Sequence, residues 1–456
     1  MTIKPYQEIQ FPPLEEFTVT QPRIHTLANG LKIYLLEDHE IPLVKIRSMI
    51  RVGSAWEPAE KVGLASICAH SMRTGGTATN PGDHVDDELG AMAASIDVSI
   101  GGLSGRASAG CLASGLKRVL ELFSDILRNP AFPDDKIELS KSALRTGISR
   151  RNDQIGSMAQ RAFQIAMFGK TSPFAREPEY ATVDAITRRD LQQFHHQYFR
   201  AGRVMIGFVG DFESERVLEL VTNLFGDWKT ADTPMPPVTT NPLPIDGRKV
   251  FFAEKNDVNQ TNLYVGGFGI RRDDPDWPAL RIGSFVLGSG GFASRLMKKV
   301  RTELGLAYSV GGGFGAEYDR IGLFRASCQT KTQSTARALE AILNEIESLL
   351  KNPPTHVEVE LAKDQILNAE VFEYDPRPQI LGRRMTLDYY NYPANFMEQA
   401  NHKIRTITPA DVAAAIQRNL NINNLTLVAV GNKDGMDKPI SSFGPVTTLD
   451  LSIPPP

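Results

Sequence analysis

A long internal repeat constrains the fold of this chain more than any other feature of its sequence. The segment ITRRDLQQFHHQYFRAGRVMIGFVG, residues 186–210, aligns without gaps on ITPADVAAAIQRNLNINNLTLVAVG, residues 407–431, at a constant offset of 221. Each copy begins with a Thr suited to cap a helix, continues as an amphipathic helix, and ends in a β-branched strand that a Gly terminates. The chain is therefore predicted to consist of two homologous halves.

A proline-rich segment separates the two halves. Residues 229–248 contain five prolines and no apolar periodicity, which predicts an extended linker between a first half, 1–228, and a second half, 249–456. In the first half, strand patterns precede a group of helix patterns; the strands are 31–38 and 44–53, and the helices are 64–72, 83–92, 113–128 and 134–153. The predicted fold class is α+β, with an antiparallel sheet and helices on one face in each half.

Composition excludes several classes of function. The chain has 50 Lys and Arg against 53 Asp and Glu, a net charge of −3, so a nucleic-acid partner is not expected. No run of 18 apolar residues predicts a membrane span, and residues 1–22 lack the apolar core of a signal peptide. The three cysteines lie far apart, so no disulfide framework or thiolate zinc site is predicted. We expect a cytoplasmic protein, or a periplasmic one if a signal peptide has been removed.

The segment GLASICAHSMRTGGT, residues 63–77, resembles the zinc helix of the pitrilysin, insulysin and mitochondrial processing peptidase family. That family's inverted motif HxxEH holds zinc with two His one helical turn apart, and its Glu activates the metal-bound water. Aligned on this motif, Ser66 replaces the first His, Ala69 replaces the Glu base, and only His70 matches. The family's third ligand, a Glu on a later helix, corresponds to Gly147.

These replacements predict a first half without metal. A catalytic zinc site needs three protein ligands and an open position for water, and this helix keeps one ligand and no base. We therefore expect no cofactor in this chain and interpret His70 as an uncoordinated histidine on a partly buried helix. A metal role for His70 remains the alternative.

The second half keeps its own signature. VLGSGGFASRLMKKVRTELGLAYSVGGGF, residues 286–314, resembles the family's C-terminal signature, in which an Arg and a Tyr seven residues apart reach into the zinc-bearing half. Arg301 and Tyr308 occupy these positions. The resemblance implies that they bind substrate and stabilise an oxyanion in trans. Without the signature, Arg301 would be an ordinary cation at a helix C-terminus and Tyr308 an ordinary strand residue.

Together these features predict a non-catalytic subunit of a heterodimeric zinc peptidase, similar to the bacterial processing-peptidase-like members of the family. The resemblance implies that this chain forms half of a peptidase chamber, is inactive alone, and acts with a homologous subunit that carries HxxEH and zinc. Peptides or unfolded polypeptides are the implied substrates. Two alternatives remain: a protease-inactive structural or chaperone-like scaffold of the same fold, and a standalone peptidase with rearranged zinc ligands.

Overall fold

A computed structural model describes residues 20–231, 233–238, 243, 245–374 and 376–456. Part of the predicted linker, and residues 1–19 of the amino-terminal segment, lie outside the described residues. The first half contains β1 (Arg23–Thr26), β2 (Lys32–Glu37), β3 (Leu43–Ile50), α1 (Leu64–Gly75), α2 (Gly82–Ala91), β4 (Ser95–Ile100), β5 (Gly105–Leu112), α3 (Leu116–Arg128), α4 (Asp134–Arg150), α5 (Ile155–Phe168), α6 (Tyr180–Asp184), α7 (Arg188–Tyr198), β6 (Val204–Gly210) and α8 (Ser214–Phe225).

The second half repeats most of this order but ends in a strand instead of a helix. It contains β7 (Lys249–Glu254), β8 (Gln260–Phe268), β9 (Ile270–Arg271), α9 (Trp277–Ser284), β10 (Ala307–Phe314), β11 (Ala316–Glu317), β12 (Leu323–Lys331), α10 (Thr335–Lys351), α11 (His356–Tyr374), α12 (Arg377–Tyr389), α13 (Phe396–Thr406), α14 (Pro409–Asn419), β13 (Thr426–Gly431) and β14 (Val446–Thr448). Two π-helical segments, Phe285–Ser289 and Met297–Glu303, lie between α9 and β10.

Each half forms a six-stranded sheet, and the two sheets share one plan. The strand orders are β1-β2-β6-β3-β5-β4 and, read in the matching direction, β14-β7-β13-β8-β12-β10. Most neighbouring strands are antiparallel, as predicted, but three pairs are parallel: β2 with β6, β7 with β13, and β14 with β7. Between β2 and β6, and between β7 and β13, the chain passes through other strands and several helices, which gives the long connection that parallel pairing requires. The α+β class with two homologous halves is confirmed.

The aligned repeat forms the same local structure twice. Thr187 accepts a hydrogen bond from the backbone N–H of Asp190 at the start of α7, and Thr408 accepts one from Asp411 at the start of α14. Both Asp carboxylates bond back to the Thr backbone N–H, which completes a capping box at each helix. The repeated Thr and Asp therefore fix where each helix begins.

The two halves exchange one helix each. Helix α5 of the first half packs its apolar side chains on β8 and β13 of the second sheet. Its counterpart α12 packs on β2, β3 and β6 of the first sheet. Glycines make room for both helices: a Cβ at Gly266 would lie 2.7 Å from the ring of Phe163, and one at Gly207 would lie 2.6 Å from the sulfur of Met385. Neither sheet is therefore fully covered by its own half.

Candidate functional site

Helix α1, which resembles a zinc helix, is anchored at its N-terminus by a buried carboxylate. Glu57 is 5% exposed, and it accepts hydrogen bonds from the backbone N–H groups of Gly63 at 3.2 Å and Ala65 at 2.5 Å. Burial raises the pKa of this carboxyl, and the two backbone hydrogen bonds oppose that rise. Gly63 precedes the helix with φ of 110°, a conformation that a side chain would strain.

Helices α1 and α4 bring the predicted zinc positions to one region. His70 Nδ1 lies 2.7 Å from the hydroxyl oxygen of Ser140 on α4, and a Cβ at Gly63 would lie 3.3 Å from the side chain of Leu144. The two helices therefore run in opposite directions along each other. Gly147, about one turn beyond Leu144 on α4, lies toward the start of α1.

The residues present do not fit a zinc ion. Ser66 is exposed and offers one hydroxyl, Ala69 is buried and has no donor atom, and Gly147 has no side chain. The one imidazole, that of His70, already bonds to Ser140, which donates in turn to the carbonyl oxygen of Lys136. Within the described part of the chain, no three His, Cys, Asp or Glu side chains are grouped as metal ligands would be. This helix pair therefore offers one nitrogen ligand, two short of a catalytic zinc site.

Arg301 and Tyr308 come together at one end of the second half. Arg301 lies in the π-helical segment Met297–Glu303, and its guanidinium carbon is 5.7 Å from the centre of the Tyr308 ring. Tyr308 is 77% exposed and lies on edge strand β10, where the register with β12 shifts between Ala307 and Ser309. Such an irregularity bends the strand and redirects a side chain.

Both side chains have unused hydrogen-bonding groups. Among the described residues, neither the Arg301 guanidinium nor the Tyr308 hydroxyl has a hydrogen-bond or ion-pair partner. Arg295 of the same signature is fully engaged, with two bonds of 2.8 Å to the carboxylate of Glu358 and another to the carbonyl oxygen of Asn352. The contrast separates a structural arginine from one whose donors remain available.

Sequence reasoning did not identify two residues that shape these regions. Phe292 is 67% exposed, and its ring lies 4.9 Å from the Arg301 guanidinium, on which it makes a cation–π contact. Arg301 is thus positioned by two exposed aromatic rings, those of Phe292 and Tyr308. An aromatic residue among small ones in GSGGFAS was the available signal. Glu57 gave none, because a carboxylate seven residues before the first residue of a helix matches no common capping pattern.

Comparison with known proteins gives consistent matches along the chain. The model of the insulinase family, peptidase family M16, matches residues 32–173, and the model of the peptidase M16 inactive domain matches residues 185–366. A protein of Helicobacter pylori described as the non-peptidase homolog YmxG is 22% identical over 90% of this chain and 94% of its own length. The probable mitochondrial-processing peptidase subunit beta of Arabidopsis thaliana is 24% identical over 94% of this chain and 79% of its own.

Solved structures match the fold of both halves together. The crystal structure of a peptidase M16 inactive domain from Pseudomonas fluorescens has a TM-score of 0.82 at 25% identity and covers 92% of this chain and 100% of that one. A Helicobacter pylori protease matches with a TM-score of 0.78 at 18% identity, over 90% of this chain and 99% of its own, and shows the fold alone. No helix among the described residues is long and apolar enough to cross a membrane.

Proposed function

The chain belongs to the peptidase M16 family as a member that lacks two of the three zinc ligands, and from this premise we propose that it serves a zinc-bearing partner. In this proposal the chain is the non-catalytic subunit of a heterodimeric peptidase. It places Arg301 and Tyr308 beside the active site of a homologous subunit that carries HxxEH and holds the zinc. The substrates are peptides or unfolded polypeptide segments.

The unused donors of Arg301 are the observation on which the proposal chiefly rests. The five guanidinium N–H groups of Arg301 bond to nothing among the described residues, and the rings of Phe292 and Tyr308 hold the guanidinium in place. This arrangement favours a ligand outside the chain. A residue whose role was only to support the fold would engage those donors, as Arg295 does. The exposure of Tyr308 likewise leaves its hydroxyl accessible to a partner or a substrate.

The chemistry assigned to the pair is binding and charge stabilisation. Hydrolysis of a peptide bond develops negative charge on the former carbonyl oxygen, and the partner's zinc supplies the activated water. A guanidinium and a phenol hydroxyl held near that oxygen donate hydrogen bonds that strengthen as the charge develops. The planar guanidinium can also bind a peptide carbonyl or carboxylate with two parallel bonds. No step of the reaction uses Ser66, Ala69, His70 or Gly147.

Reconstitution with a partner tests this proposal. The chain and an HxxEH-bearing homologue are purified separately, then mixed, and hydrolysis of an unstructured peptide is measured with assembly followed by gel filtration. We expect activity only in the mixture. Arg301→Ala and Tyr308→Phe should each lower turnover about 10²- to 10³-fold, the loss that follows removal of one oxyanion donor. Neither substitution should change assembly. Lys298→Ala, an exposed cation on the same segment, is the matched control.

The scaffold alternative predicts a different pattern. The similarity to a protein described as a non-peptidase homolog is the observation that favours it. A scaffold would assemble with its partner, but the Arg301→Ala and Tyr308→Phe complexes would remain as active as the wild-type complex. Variants that lose thermal stability or fail to assemble would instead assign the pair a role in folding.

A further inference from the structure

A cationic concavity lies on the first sheet, away from both regions discussed above. It has a volume of about 250 Å³ and opens between the sheet and helix α12. Its lining combines the cations Lys45 and Arg47, the hydroxyls of Ser95 and Ser108, and the side chains of Pro378 and Leu381 on α12. We call it the β3 concavity.

Strand alternation places the cations on one face. Val44 and Ile46 of β3 point into the first core, so Lys45 and Arg47 point to the opposite face. The register pairs Lys45 with Gly110 and Arg47 with Ser108 of β5. Arg106 of β5 lies on the same face, two residues along from Ser108. Three cations therefore project from adjacent strands over a floor of small residues.

In the described part of the chain, no carboxylate forms an ion pair with these cations. Among the described residues, neither a hydrogen bond nor an ion pair reaches the side chains of Lys45, Arg47 or Arg106, all of which are exposed. Burial of part of its side chain and repulsion from Arg106 lower the pKa of Arg47. Asp97 of β4 lies on the same face opposite Ser108, and it bonds to none of the three. Like charges held together without a counter-ion cost stability, which an external anion would recover.

Helix α12 has a glycine where the Arg47 side chain passes. A Cβ at Gly382 would overlap a terminal guanidinium nitrogen of Arg47. A glycine inside a helix is less stabilising than an alanine by roughly 0.5–1 kcal/mol, so Gly382 lowers the stability of α12 by about this amount. The missing side chain lets the guanidinium lie against the helix at the edge of the β3 concavity.

We propose that the β3 concavity binds the carboxylates of an acidic segment of an extended peptide. Lys45 and Arg47 pair with its Asp or Glu side chains, and the hydroxyls of Ser95 and Ser108 donate to the same oxygens. The few cations and the small volume suit one or two carboxylates, and the net charge of −3 disfavours a longer polyanion such as nucleic acid. The inference rests on the proposed function only in taking a peptide as the ligand.

Binding by the chain alone tests the inference independently of any partner. Fluorescence anisotropy compares a labelled Glu-rich peptide, the same peptide with Gln at every Glu, and a single-stranded oligonucleotide. We expect the Glu-rich peptide to bind at least about tenfold more tightly than the Gln peptide, with an affinity that falls as salt is added. The double variant Lys45→Gln and Arg47→Gln, which keeps the aliphatic stems, should remove this preference.

Two further variants separate position from charge. Lys117→Gln with Arg216→Gln removes two exposed cations from the outer helices and should leave binding unchanged. Neither cation forms an ion pair with another described residue. Gly382→Ala keeps all charges but displaces the Arg47 guanidinium, and we expect it to weaken binding severalfold in a chain that stays folded, as checked by circular dichroism. The inference is overturned by equal affinity for the Glu and Gln peptides, by unchanged binding in the Lys45 and Arg47 double variant, or by tighter binding of the oligonucleotide through the same residues. If Arg301→Ala did not lower the turnover of the reconstituted peptidase, the proposed function would be contradicted. The binding of the acidic peptide at the β3 concavity would be unaffected by that outcome.

Discussion

The two halves share a scaffold but differ in the residues available for chemistry. Both halves have a sheet of six strands in the same order, and both have a Thr–Asp capping box that fixes where one helix begins. In the first half, the positions that would hold zinc carry Ser66, Ala69 and Gly147. In the second half, Arg301 and Tyr308 lie close together, and no other described residue accepts a hydrogen bond from their side chains. The residues that determine the fold, such as those of the capping box, are present in both halves, whereas the residues suited to chemistry differ between them. A duplicated fold can therefore lose a site without losing its structure, because the site residues are not needed for folding.

The largest expected effect is the gain of zinc by a rebuilt first half. Ser66→His, Ala69→Glu and Gly147→Glu together restore the three ligands and the base, and Gly147 has open space around its missing side chain. We expect the triple variant to bind about one zinc per chain, measured by elemental analysis, because a catalytic site requires three protein ligands. Ser66→His alone supplies two and should bind none stoichiometrically. Tight zinc binding by that single variant would refute this explanation of the lost site.

The exchanged helices predict a large effect on stability. Phe163 in α5 is 1% exposed and stacks on Tyr264 at 5.3 Å, and Met385 in α12 is fully buried on the first sheet. Truncation to Ala should lower the free energy of unfolding by about 3–5 kcal/mol for Phe163 and about 2–5 kcal/mol for Met385.

Because each helix crosses between halves, we also expect both halves to unfold together. Denaturation is followed by tryptophan fluorescence in two variants. One variant keeps only Trp277, which reports the unfolding of the second half. The other keeps only Trp56 and Trp228, which report the unfolding of the first half. Two separate transitions in the wild-type chain would show that the exchange does not couple the halves.

A smaller effect is expected at the cap of α1. Glu57→Ala leaves the backbone N–H groups of Gly63 and Ala65 without their acceptor, which should lower the free energy of unfolding by about 1–2 kcal/mol.

The same carboxyl predicts a dependence of stability on pH. Because burial raises the pKa of Glu57 above its unfolded value, the folded state binds the proton more tightly. Relative to Glu57→Gln, the wild-type chain should therefore lose stability as pH rises from the unfolded pKa of about 4.3 through the folded value. Urea denaturation at several pH values measures this difference, and the opposite slope would contradict it.

The smallest effect is expected at His70. Its contact in the chain is a hydrogen bond with Ser140, so His70→Ala should cost about 0.5–1.5 kcal/mol of stability. Peptidase activity of the reconstituted complex should not change, whereas Arg301→Ala should lower it by orders of magnitude. A loss of activity in the stable His70→Ala complex would assign the first half a part in the chemistry.

The sequence predicted more of the scaffold than of the sites. The repeat, the strands at 31–38 and 44–53 and the first helices followed from periodicity and capping, which act locally. The parallel strand pairs, the exchanged helices and the Arg47–Gly382 contact were not predicted, because they depend on which distant segments meet in the fold. The emptied zinc positions could be located from the family resemblance, but the bond between His70 and Ser140 required the packing of α1 on α4.

The number of zinc ions in the reconstituted complex tests most directly the proposed division of the chemistry between two chains. The complex of this chain with its HxxEH-bearing homologue is isolated by gel filtration and analysed for metal, with and without His70→Ala in this chain. We expect about one zinc per pair of chains, held by the homologue and unaffected by His70→Ala. Two zinc ions per complex, one of them lost with His70→Ala, would contradict a metal-free first half.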